Sequence, residues 1–180
     1  MRIEETKLYT FDELSDGAKE RAIEKAREDP DRGMDWADEW RGTIERAEQF
    51  LPIEVKNWKV GLYGPTYCDV EFVDEYGYYR DAENLEGARA WKWLHNNDVA
   101  SLIEMDCPFT GFCADEAFLA PLRAFLKRPD SRTLGELFKE CASAWAQAWE
   151  SDMEFQHSDE YIIDEIRACE REFTEDGSEW

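Results

Sequence analysis

Residues 53–72 read IEVKNWKVGLYGPTYCDVEF. Val60 and Leu62, and then Cys68, Val70 and Phe72, alternate with polar or aromatic neighbours on either side of Gly64-Pro65. Successive side chains of a strand point to opposite faces, so two alternating runs joined at a turn predict an antiparallel hairpin. Gly77-Tyr78-Tyr79 is placed to extend it as a third strand.

Outward from this stretch the period becomes helical on both sides. Upstream, Trp36, Trp40, Ile44, Ala47 and Leu51 recur at three and four residues, which predicts a helix with both tryptophans in the core. Before it, Thr10-Phe11-Asp12-Glu13 fits a capping box, and Ser15 or Asp16 can cap a helix over 18–28 that Pro30 closes. Downstream, a helix is predicted over 85–96 with Ala88, Trp91 and His95 on one side. Residues 114–127 carry Phe118, Leu122 and Phe125, with Pro121 expected to kink that helix or to begin a second one. Thr133 opens a long amphipathic helix striped with Leu134, Leu137, Phe138, Cys141, Trp145, Ala148 and Trp149. The pattern restarts near Ser158 with Tyr161, Ile162, Ile166 and Cys169, and Phe173 to Gly177 ends it in a short strand or tail. The expected class is α+β, mostly helical with a small antiparallel sheet, the hairpin lying within 53–80. With 180 residues and no Gly/Ser linker or repeat, residues 1–180 read as a single acidic α+β domain.

Composition narrows the chemistry. The 43 acids against 21 bases give a net charge of −22, a surface that repels nucleic acid and anionic membranes and attracts basic surfaces. Aromatic residues at 14%, eight of them Trp, supply enough apolar surface to fold despite that charge. No secretion signal or membrane span is legible, and five cysteines without a CxxC pair read as free thiols, so a bacterial host cytoplasm is the expected location. No phosphate loop, dinucleotide-binding glycine run, HExxH, GxSxG or EF-hand loop is present, and His95 has no nucleophile partnered with it in a triad motif. No catalytic, cofactor or metal residue is therefore assigned, and no cofactor is expected.

What the sequence singles out is charge distribution. From Glu150 to the C-terminus there are 12 acids and two bases. Helical carboxylates three or four residues apart stand about 5–6 Å from one another, of the same order as successive phosphates along a DNA strand. Such neighbours repel, so a use for them is worth proposing. The candidate partner-binding residues are Glu150, Asp152, Glu154, Asp159, Glu160, Asp164 and Glu165. A plain solvated helix face is the competing reading.

Four blocks in order along the chain carry a resemblance. They are residues 9–24 (YTFDELSDGAKERAIE), 107–112 (CPFTGF), 145–152 (WAQAWESD) with 158–162 (SDEYI), and 172–177 (EFTEDG). Together they resemble the phage and prophage proteins often labelled "antitoxin of toxin–antitoxin stability system". The family often has an aromatic where this chain has Cys113. The resemblance implies a mobile-element origin and a small acidic protein without an established catalytic site, so it transfers no functional residue. By analogy of charge and origin, acidic phage proteins include DNA-mimicking inhibitors of host defence, of the anti-CRISPR or anti-restriction type. Three functions stay open at this point: a mimic that occupies the basic surface of a host nucleic-acid-binding or defence protein, an antitoxin-like protein that neutralises a toxin through an apolar and aromatic face, and an uncharacterised enzyme.

Overall fold

The computed structural model describes residues 6–34, 36–73 and 82–180. In chain order the elements are β1 (Tyr9–Thr10), α1 (Asp16–Arg27), α2 (Ala37–Phe50), β2 (Ile53–Lys59), β3 (Tyr67–Phe72), α3 (Gly87–Asn96), α4 (Val99–Ile103), α5 (Ala114–Lys127), α6 (Leu134–Gln156), α7 (Asp159–Ala168) and β4 (Glu172–Phe173). Short 3-10 turns occupy Phe11–Glu13 and Ala82–Asn84. The fold is α+β and mostly helical, with two small antiparallel strand pairs. It divides into two compact units. One joins the two ends of the chain, residues 6–34 with 152–180, and the other comprises the rest.

In the central unit the hairpin forms where the alternation predicts it, but its first strand lies earlier. Strand β2 pairs with β3 from Ile53↔Phe72 to Lys59↔Tyr67, with an irregularity between Val55 and Asn57. Val60 and Leu62 fall in the connection instead. The irregularity interrupts the alternation of Ile53, Val55 and Trp58 within β2, so the regular pattern is seen only past the strand's end, at Val60 and Leu62. The expected third strand at 77–79 lies outside the described residues.

The core of this unit is aromatic. Trp145 is fully buried and donates from Nε1 to the Trp40 carbonyl at 3.0 Å. Trp149 stacks parallel to Trp40 at 6.2 Å, and Trp58 of β2 reaches Trp145 edge-on at 5.7 Å and Trp149 at 5.4 Å. Helix α6 begins with a reciprocal capping pair: Glu136 N–H donates to Thr133 Oγ1 at 3.1 Å, and Thr133 N–H to the Glu136 carboxylate at 2.8 Å. Helix α5 passes through Pro121 as one element, held on both sides by buried Phe118, Leu119, Leu122 and Phe125.

Two faces differ from the sequence reading. In α3 the buried residues are Ala90, Trp93 and Leu94, while Ala88, Trp91 and His95 are exposed. Two apolar stripes share that helix, and the one that meets Phe72 of the hairpin, 5.7 Å from Trp93, is the one buried. Trp36 is not a core residue but 59% exposed, at the left-handed position that precedes α2. Because the helix starts at Ala37, the periodic stripe cannot extend back to residue 36.

The terminal unit is built by residues far apart in the chain. Tyr9 and Thr10 pair with Phe173 and Glu172. Thr10 N–H donates to the Glu13 carboxylate at 2.8 Å, Ser15 Oγ caps α1 at Ala18 N–H, and Ser158 Oγ caps α7 at Tyr161 N–H. Phe11, Leu14, Ala18 and Ala22 pack against Ile162, Ile166 and Phe173. Gly177, at φ +87°, lies so close to α1 that a Cβ would stand 2.2 Å from the Ala18 carbonyl oxygen, so no other residue fits there without displacement. Among the described residues no helix is long and apolar enough to cross a membrane.

Candidate functional site

The seven acidic candidates do not share one environment. Glu150 is half-buried in the central unit and accepts a hydrogen bond from Thr66 Oγ1 at 2.7 Å, which fastens the hairpin connection to α6. The other six belong to the terminal unit. There Asp152 accepts from Gln156 Nε2 at 2.9 Å. Glu165 is the partner of Arg32, whose side chain is only 4% exposed, at 2.8 Å, and its second oxygen takes Arg171. Arg32 also donates to the carbonyls of Ala26 at 2.6 Å and Gln156 at 3.2 Å, so this guanidinium ties α1, α7 and residues 152–156 together. Asp159 pairs with Arg27, which also contacts Glu24 and donates from Nε to the His157 carbonyl at 3.2 Å.

That leaves Glu154, Glu160 and Asp164 exposed, with no ion pair to the described residues at contact distance. Glu160 and Asp164 are four residues apart on α7 and share a strip of its surface, about 5–6 Å between their Cβ atoms. The neighbouring cation, Arg167, is spent on Asp12 at 2.6 Å, and its guanidinium holds that carboxyl below the usual range. The pairing of Arg27 with Asp159 and of Arg32 with Glu165 was not legible in the sequence, because each arginine stands more than a hundred residues from that acid.

The second feature lies in the central unit, where sequence reasoning assigned nothing. Asp115, fully buried in the first turn of α5, accepts five hydrogen bonds. Its Oδ2 takes the backbone N–H groups of Phe109 at 2.8 Å, Thr110 at 2.8 Å and Gly111 at 3.3 Å, and its Oδ1 takes the hydroxyls of Thr43 at 2.6 Å and Thr110 at 2.8 Å. A buried carboxylate is stable only with such a set of donors, so the knot is structural. It fixes the loop over 107–113 against α2, where Gly42 also meets Thr110. The run CPFTGF followed by an acid at the start of an apolar helix is the signal that marks this knot.

The loop presents Phe112, 45% exposed, beside Trp36 at a ring separation of 6.4 Å. Farther along α2, Phe50 is 50% exposed and stacks on Phe109 at 6.3 Å. Trp36 has φ +64° and ψ +9°, a conformation that costs a bulky residue of the order of 1–3 kcal/mol.

His95 stacks on Trp91 with ring centres 3.7 Å apart, and its Nδ1 lies 2.8 Å from the Trp91 carbonyl oxygen. Among the described residues no group of three or more His, Cys, Asp or Glu is arranged to hold a metal ion. All five cysteines are free. Burial pushes the Cys68 thiol up to about 12 and also raises Cys141, so these two are inert packing groups. A cleft of about 360 Å³ in the terminal unit sets Lys25 and Arg171 among Glu28, Asp29 and Glu179 over an apolar floor, a lining whose charges largely offset one another. No family model, curated protein or solved structure matches the chain.

Proposed function

We propose that the chain is a binding protein rather than an enzyme, and that the exposed acids Glu160 and Asp164 of α7, with Glu154 of α6, meet a basic, normally nucleic-acid-facing surface of a partner protein. The observation that carries this reading is that these three acids stay exposed after the arginines of the terminal unit have been used. Over residues 1–35 and 152–180 there are 22 acids and nine bases, a net charge of −13. Together with the resemblance to acidic phage proteins, this supports an inhibitor of a host defence protein that works by nucleic-acid mimicry. Of the seven candidates, Asp159 and Glu165 serve the fold through Arg27, Arg32 and Arg171, and Glu150 holds Thr66, so the contact is narrower than the acidic segment.

The test follows from that division. A partner captured from the bacterial host and identified by mass spectrometry is titrated with the wild type and with the triple variant Glu154→Lys, Glu160→Lys, Asp164→Lys. Loss of affinity with unchanged melting, a fall in binding as salt rises, and competition with the partner's own nucleic acid are expected. Simultaneous binding of chain and nucleic acid to one partner molecule would sink the mimicry reading.

One observation favours the antitoxin-like alternative, namely the exposed rings of Trp36, Phe50 and Phe112. Binding that survives high salt and the triple variant, but not removal of those rings, would transfer the function to that face.

A further inference from the structure

We infer that Trp36 and Phe112 form a seat for an arginine side chain of a protein partner. The seat lies in the central unit and does not rest on the acidic strip. Two large aromatic rings, 59% and 45% exposed, stand 6.4 Å apart with their planes tilted by 41°. Both are held in place by backbone rather than by burial. Trp36 occupies a left-handed position at the start of α2, and Phe112 follows directly on the three amides that Asp115 binds. Rings fixed beforehand lose little freedom when a partner docks.

Charge decides the occupant. The helix that begins beside Trp36 carries Asp38 and Glu39 in its first turn, and the one that begins beside Phe112 carries Glu116 in its first turn. Arg41 and Arg123 contact Asp38 and Glu116, while Glu39 has no such partner among the described residues. The chain as a whole is −22. Such a field repels a nucleic-acid strand, whose bases would otherwise stack on these rings, and it repels a second copy of the chain. A cation is attracted by both the field and the ring faces. Guanidinium is preferred to ammonium because its plane lies flat on an indole and is more weakly hydrated.

The experiment titrates the full chain with an acetylated, amidated Gly-Arg-Gly-Arg peptide, following the Trp36 indole N–H by NMR after assignment with Trp36→Phe. The lysine version of the peptide and an oligothymidylate serve as competing probes. A saturable shift of the Trp36 signal is expected, with the lysine peptide weaker and the oligonucleotide without effect. Trp36→Gly suits the left-handed backbone and so keeps the fold, and Phe112→Ala alters a separate segment. With affinities of wild type and variants compared by isothermal titration calorimetry, which needs no Trp36 signal, each should weaken the arginine peptide by about two- to fivefold, the loss of an exposed cation–π contact. The pair Glu160→Lys and Asp164→Lys should leave this binding unchanged, which separates the seat from the acidic strip. Equal binding by Trp36→Gly, preference for the oligonucleotide, or concentration-dependent self-association that Trp36→Gly abolishes would each overturn the assignment.

Discussion

The two units solve the problem of an acidic chain differently. The central unit has 21 acids and 12 bases over 116 residues, and among its described residues Asp115 is the one buried acid, satisfied by neutral donors. Its stability rests on tryptophans. The terminal unit is smaller, its apolar core is modest, and its arginines staple carboxylates from opposite ends of the chain. Aromatic burial is indifferent to salt and acid, whereas ion pairs are not, so the two units should fail under different conditions. Acids that serve the fold and acids that stay exposed thus share the same two helices, α6 and α7, and their hydrogen-bond and ion-pair partners tell them apart.

The largest effect should come from the tryptophan cluster. Trp145→Ala removes a fully buried side chain together with its hydrogen bond to Trp40 and should cost about 3–5 kcal/mol, read as a fall in the urea midpoint. An unchanged midpoint would break the contrast by showing that the central unit does not depend on this core. Asp115→Ala comes next. It strands buried amides and the Thr43 hydroxyl, and about 3 kcal/mol is expected, with loss of amide protection confined first to 109–111.

In the terminal unit, Glu165→Gln removes the charge opposite Arg32. Breaking a buried pair costs about 3–5 kcal/mol, and because Glu165 retains 25% exposure about 2 kcal/mol is expected here, measured by thermal melting. A neutral result would mean that the carbonyls of Ala26 and Gln156 suffice for Arg32.

The smallest effect is a pH dependence. Arg167 depresses Asp12, and hydrogen bonds from Thr10 and Thr174 depress Glu13 and Asp176. A carboxyl whose folded pKa lies below its unfolded value stabilises the fold above the unfolded value and loses that contribution as pH falls through the folded one. From the ordinary values of 3.8 and 4.5, the strand pair of Tyr9–Thr10 with Glu172–Phe173 should begin to loosen below about pH 4.5. Amide exchange on Thr10 and Phe173 against Trp145 follows it. Loosening of the central core first would reverse the comparison. Asp130 in the central unit is also depressed, by Arg132, but lies at the surface and should affect only its own turn.

Much of this was legible in the residues. The helix over 114–127, the Ser15 cap, the restart of the helical pattern near Ser158, the stripe from Leu134 to Trp149 and the hairpin follow from period and local hydrogen bonding, which act over a few residues and need no knowledge of the rest of the fold. The acidic excess near the C-terminus is likewise a property of composition. Tertiary structure decided what position along the chain does not encode. It selected Trp93 over Trp91 as the buried face of α3, because the hairpin lies on that side. It turned Trp36 outward, because a left-handed residue cannot continue a helical stripe. It divided the acids into those held by arginines some 130 residues away and those left exposed, since an ion pair depends on distance in space and a sequence records only distance along the chain.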